Sequence, residues 1–202
     1  MQDFFDYHTH NYKKMDAFIS IKAEDLKQCI VLPEGSKFFL EYHPWNLSSD
    51  YHGLEKEFIQ LAESDLVYGI GEVGLDKLKQ DNAVFEVQLS FFEELVELSA
   101  KLNKPLMLHL VRSWSEARKV LEKYKLPQIY LHGFYGKIEL LREILNFGIV
   151  VSLNPKMIER SELYTFLQKN PKFLEQIKLE TDDTDFDIKN LYANFYERLK
   201  NV

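Results

Sequence analysis

Cysteine is nearly absent from this sequence: Cys29 is the only one in 202 residues. A single thiol excludes an intramolecular disulfide framework and a cysteine-built zinc site. With no His or Cys near it in the sequence, Cys29 is expected to be inert. Long apolar runs are also missing. The longest, such as Gly148 to Leu153, fall far short of the ~20 residues that span a bilayer, so no membrane association is expected. Met1-Gln2-Asp3 puts no basic region ahead of an apolar stretch, so no secretory leader is read and a cytoplasmic location is expected. Glycine and proline are sparse, at eight and six, which excludes collagen-like and low-complexity chains. Positive charge is in deficit: 25 Lys and Arg face 32 Asp and Glu, a net charge of −7. Such a balance argues against non-specific coating of duplex nucleic acid. It leaves a phosphoester substrate open, because divalent cations held by carboxylates reverse the field locally.

What is present is a core-forming composition, 46% hydrophobic and 14% aromatic, at a length that suits one domain over residues 1–202. Strand-like segments are read at Phe4–His8, Phe18–Ile21, Phe38–Tyr42, Leu66–Val73, Leu106–Leu110, Ile129–His132, Ile149–Leu153 and Ile177–Glu180. Stripes at helical spacing separate the later ones. Val84, Phe85, Leu89, Phe92, Leu95 and Val96 form the first, and Ile138, Leu141, Ile144 and Leu145 the second. A third, Phe186, Ile188, Leu191, Tyr192, Phe195 and Leu199, closes the chain, and all three are read as core. Alternation of this kind implies parallel strands with helices outside them. Eight strands suggest a compact (β/α)8 TIM barrel, an α/β fold with active sites where the strands reach their C-terminal ends. A doubly wound open sheet competes, although no G-x-G-x-x-G turn follows the first strand. The least regular part is Ala23 to Lys37, which holds Pro33 and Gly35 and has little room for a full helix. The early βα crossovers are therefore expected to be short.

Four of the six histidines, His8, His10, His109 and His132, fall at the C-terminal ends of these strands. His8 and His10 are two apart, so both face one side of an extended chain and can grip one ion. Glu72 and Asp182 each close an apolar run, where a carboxylate is costly unless paired or metal-bound. Ligands from five strand ends would converge only in a closed barrel or a comparable bowl. Their number suits two divalent ions that polarise a scissile oxygen and lower the pKa of a water. Glu72 is the natural carboxylate to bridge both ions, and Asp182 is placed to take the proton from the attacking water. Mixed imidazole and carboxylate ligands suit zinc, manganese or iron better than calcium, and magnesium also stays open.

The blocks DYHTH (Asp6 to His10), EYHPW (Glu41 to Trp45), GIGEVGLD (Gly69 to Asp76), PLMLH (Pro105 to His109), HGFYG (His132 to Gly136) and LETDD (Leu179 to Asp183) resemble the TatD family of metal-dependent hydrolases. The resemblance runs in order over nearly the whole chain. It implies a TIM-barrel, amidohydrolase-like fold with deoxyribonuclease activity in some members. Matched residue by residue, it implies that His8, His10, Glu72, His109, His132 and Asp182 bind metal, and all six are present. The region between the first strand and His43 is shorter than usual, and two further features depart from the pattern. Val111 stands where many members carry Arg, with Arg112 one position later, and the stretch after Asp182 is acidic and lacks Pro. Both touch substrate-side loops and leave the metal set alone.

Lighter expectations attach to other residues. His43 and Arg112 are candidate substrate contacts. Glu180, on the same facing as Asp182, either holds a ligating imidazole through its free N–H or pairs with Lys178 inside the barrel. Trp45 and Trp114 are read chiefly as packing residues, and His52 as a surface residue opening a helix. The expected function is two-metal hydrolysis of a phosphodiester, a small molecule or a nucleic-acid end, with no obligate protein partner visible. A PHP-type phosphoesterase would also open on DYHTH, but such proteins generally need further histidines downstream, and none follows His132. A non-catalytic metal-binding barrel is the remaining alternative, and an intact six-ligand set argues against it.

Overall fold

The computed structural model describes residues 4–28, 31–48, 50–79 and 82–201. Met1-Gln2-Asp3 and Cys29 lie outside the described residues, as does the Val84 side chain of the first helical stripe. The strands are β1 (Asp6–Thr9), β2 (Ala17–Lys22), β3 (Lys37–Glu41), β4 (Val67–Asp76), β5 (Leu106–Val111), β6 (Ile129–Phe134), β7 (Val150–Leu153) and β8 (Ile177–Leu179). The helices are α1 (Ala23–Leu26), α2 (Lys56–Glu63), α3 (Asn82–Leu102), α4 (Trp114–Leu121), α5 (Ile138–Asn146), α6 (Ser161–Lys169) and α7 (Ile188–Lys200). Strand order in the sheet follows sequence order from β1 to β8. A doubly wound sheet reverses its order at a switch point; here a parallel bridge from Thr9 to Asp182 instead sets the end of β8 beside β1. This is the (β/α)8 connectivity. Among the described residues no helix is long and apolar enough to cross a membrane.

The chain divides into two compact units. The first comprises Met1–Ile19, Pro33–Ser36 and Tyr130–Val202. In it β6 pairs with β7, β7 with β8, and β1 with the start of β2, all parallel. Its helices bury the faces expected from their spacing: Leu141, Ile144 and Leu145 on α5, and Ile188, Leu191, Tyr192 and Phe195 on α7. Phe186 departs from that expectation. It is 53% exposed, because α7 begins only at Ile188, where the Asp187 side chain caps the helix by accepting from the Lys189 N–H at 2.7 Å. Tyr7, Phe18 and Tyr130 pack edge to face, with centroids 5.3 Å and 5.0 Å from Phe18. The Lys178 ammonium sits 5.2 Å above the Tyr7 ring.

The second unit comprises Ser20–Leu32 and Lys37–Ile129. The 21-residue α3 buries Phe91, Phe92, Leu95 and Val96. It stops where Asn103 turns to a φ of 52° and the Lys104 N–H returns to the Ser99 carbonyl. The Lys104 ammonium then donates to the carbonyls of Ala62, Ser64 and Val67, tying the loop after α2 to the end of α3. Between β2 and β3 the one helix described is the four-residue α1, matching the short crossover expected there. α2 starts at Lys56, four residues after His52, which is exposed and outside the helix.

The strand C-termini differ from the sequence reading. β4 continues three residues past Val73 and β6 two past His132, so Glu72 and His132 lie inside strands. In β4 the ladder carries on through Gly74↔His109 and Asp76↔Val111. Gly74 allows this, since a Cβ there would lie 1.8 Å from the His109 carbonyl oxygen.

Candidate metal centre

In the first unit, β1 delivers His8 and the residues just after it deliver His10. His8 is wholly buried, and its Nε2 lies 3.5 Å from Asp182 Oδ1. His10 Nε2 lies 3.8 Å from the same oxygen. Donor atoms of His8, His132 and Asp182 fall within 4.8 Å of one another, as do those of His10, Asp182 and Asp183. Asp182 is held at this point by its backbone, with φ 51° and an N–H donating to the His8 carbonyl at 2.9 Å. Its side chain keeps 31% exposure, so it stays accessible to water. A cavity of about 430 Å³ adjoins it, lined by Thr9, His10, Asn11, Lys14 and Thr184.

Glu180 is fully buried, with Oε1 3.7 Å from His132 Nδ1 and Oε2 accepting from the Ser152 hydroxyl. Burial pushes its carboxyl up, but the His132 and His8 rings and the Ser152 hydroxyl outweigh that and hold it below the usual carboxylate range. Of the two partners expected for Glu180, the structure therefore sets it against His132, while Lys178 lies over Tyr7. Asp6, two residues before His8, is also buried. Its Oδ1 accepts the Thr181 N–H at 3.0 Å and its Oδ2 the Thr181 hydroxyl at 2.6 Å, fixing the strand that leads into Asp182. Burial, working against those hydrogen bonds, leaves its carboxyl above the usual range.

In the second unit Glu72 is the hub. His109 Nδ1 lies 2.7 Å and His43 Nε2 3.1 Å from Glu72 Oε1. The donor atoms of all three residues fall within 4.8 Å of one another. His43 Nδ1 accepts the Trp45 N–H at 3.1 Å. The neutral ring then carries its proton on Nε2 and donates it to Glu72. His43 thus stands as a donor that orients Glu72. Asp76 completes the group from the far side of His109, with Oδ2 3.7 Å from His109 Nε2. The same oxygen accepts the Trp45 indole N–H at 2.7 Å, and Oδ1 accepts the Leu78 N–H. Burial would raise the Asp76 carboxyl, but the nearby His109 ring and the hydrogen bonds from Trp45 and Leu78 win and hold it at about 2.

Trp45, read as a packing residue, is 53% exposed and anchored by its indole N–H. Trp114 opens α4 and is half-buried. Arg112 turns outward at φ 55° and is exposed. Among the described residues no ion pair engages it, and His43 and His109 stand against Glu72. Asp6 and Asp76 were missed by reading strand ends alone. Each shares a facing with a candidate ligand on its own strand, Asp6 with His8 and Asp76 with Glu72, and that spacing is the signal that finds them.

Imidazole and carboxylate donors grouped this closely in each unit match the chemistry of a divalent transition-metal site. Comparison with known proteins points the same way. A family model described as TatD related DNase matches residues 5–196. The chain is 32% identical over 134 residues to "Deoxyribonuclease Tat-D" of Schizosaccharomyces pombe, covering 64% of this chain and 42% of that protein. It is 29% identical over 143 residues to the "3'-5' ssDNA/RNA exonuclease TatD" of Pantoea ananatis, covering 69% and 55%. The chain thus spans about half the length of these curated relatives. Among solved structures, YJJV, a TatD homologue from Escherichia coli, superposes with a TM-score of 0.75 over 98% of this chain and 91% of that one, at 20% identity. A TatD-family hydrolase from Entamoeba histolytica gives 0.67 over 90% and 74%, also at 20%. These likenesses show the TIM-barrel fold.

Proposed function

The chain belongs to the TatD-related DNase family, and from that premise we propose that it is a divalent-metal-dependent hydrolase of phosphodiesters at nucleic-acid ends. The observation that carries this reading is the donor cluster in each unit, His8, His132 and Asp182 in one and His43, Glu72 and His109 in the other, of which we assign Glu72 and His109 as ligands. We assign His10 to the first through its approach to Asp182. The names of the curated relatives, a deoxyribonuclease and a single-stranded DNA and RNA exonuclease, support the substrate class.

Bound divalent ions supply Lewis acidity toward phosphoryl oxygen and lower the pKa of water. The chain's own residues set the geometry. Glu180, fixed by Ser152, orients the His132 ring, and Asp76 does the same for His109. His43 donates to Glu72 and holds its carboxylate toward His109. Asp182 is the accessible carboxylate and accepts the proton of the attacking water.

Hydrolysis of bis(p-nitrophenyl) phosphate by protein supplied with Mn²⁺ or Zn²⁺ tests the reading. Turnover is expected to vanish with a chelator and return with the ion. Asp182→Asn should lower it by about 10²-fold or more while circular dichroism stays native. Unchanged turnover in that variant removes Asp182 from the mechanism, and metal-independent turnover removes the reading altogether.

A further inference from the structure

We propose that Tyr135 and the groove between α5 and α6 form a track for single-stranded nucleic acid beyond His132, an inference that rests on the phosphodiesterase reading above. Tyr135 follows His132 by three residues and is 61% exposed. A buried aromatic stabilises a core, but one left open three residues past a candidate ligand offers a face to a base. The Arg160 guanidinium lies 5.6 Å from its ring centroid. That guanidinium is held in place by donating to the Gly136 carbonyl at 2.6 Å and by pairing with Glu162.

Arg160 also belongs to a groove of about 520 Å³. The groove opens at the first residues of α5 and α6, Lys137 with Ile138 and Arg160 with Ser161, and reaches Lys169 and Asn170 at the far end of α6. Lys137, Arg142 and Lys169 are exposed along it, and among the described residues none of them lies in an ion pair. Only Glu139 and Glu162 oppose these cations within the groove. In a chain of net charge −7, four cations against two carboxylates make a locally positive channel. An aromatic face followed by spaced cations matches single-stranded nucleic acid, whose bases stack while its phosphates meet the charges. Duplex offers no unpaired base for the ring. An acidic peptide would use the cations and ignore the ring.

Fluorescence anisotropy with a labelled thymidine dinucleotide, an oligothymidylate of roughly a dozen nucleotides, its abasic counterpart and an acidic peptide tests the track. The wild-type chain should bind the longer oligomer about tenfold or more tighter than the dinucleotide, and tighter than the abasic strand or the peptide. Tyr135→Ala should weaken the longer oligomer by about tenfold. Arg142→Glu with Lys169→Glu should remove most of the length advantage and flatten the logarithmic salt slope by about one. The track is overturned if both variants bind the longer oligomer like wild type, if length makes no difference, or if the peptide binds equally well. Hydrolysis of bis(p-nitrophenyl) phosphate, followed in parallel on the wild-type chain, separates the two readings. Turnover without the binding pattern removes the track alone, and the binding pattern without turnover removes the hydrolase reading alone.

Discussion

Burying a carboxylate is costly unless its oxygens are met, and Asp6 shows how this chain meets them. Thr181 donates to both oxygens, from its backbone N–H and from its hydroxyl, and Lys14 Nζ stands 3.6 Å from Oδ2. The side chain therefore links β1 to the residue just before Asp182. Asp6→Ala strands two donors and is expected to cost about 3 kcal/mol, seen as a fall of roughly 5–10 °C in the calorimetric midpoint. A midpoint within a degree or so of wild type would mean that Thr181 finds other partners. His43 teaches a different lesson at the same scale. Its position before Pro44 reads as a substrate contact, but its Nδ1 is taken by the Trp45 N–H and its Nε2 serves Glu72. Which nitrogen of a ring is spoken for depends on its three-dimensional neighbours, and spacing along the chain does not carry that information.

At the scale of elements, all eight strands were legible as short apolar runs, and the helical stripes of α5 and α7 as repeats of 3.6. Their ends were less so, for a physical reason. Gly74 and Gly133 interrupt the apolar pattern, so a reading from sequence stops at Val73 and His132 while the strands run on to Asp76 and Phe134. Phe186 differs in the opposite sense, because an apolar residue in register with a helix need not belong to it. Gly74 tests the pairing of β4 with β5. The Cβ of Gly74→Ala would meet the His109 carbonyl oxygen at 1.8 Å, so one strand must shift. We expect a loss of about 3 kcal/mol or more in urea unfolding, with activity falling further because His109 moves with its carbonyl. A variant that keeps both stability and turnover would contradict the pairing of Gly74 with His109.

At the scale of the whole molecule, what the sequence lacks narrows the chemistry open to it. A lone cysteine left histidines and carboxylates as the candidate metal donors, and those residues make up the clusters of each unit. The acidic net charge argued against a duplex-coating protein and left room for metal-assisted phosphate chemistry. The chain's short early crossover was legible too, since Pro33 and Gly35 leave space for little more than the single turn of α1. The supporting residues were not: Ser152 behind Glu180 and Trp45 behind Asp76 come from separate elements whose meeting only the fold reveals. If the proposed function holds, both donor clusters take up metal. Titration of chelator-stripped protein with Mn²⁺ or Zn²⁺ by calorimetry measures that uptake directly. About two equivalents per chain are expected, with Glu72→Gln and Asp182→Asn each weakening uptake. A folded chain that takes up neither ion would contradict the proposed function.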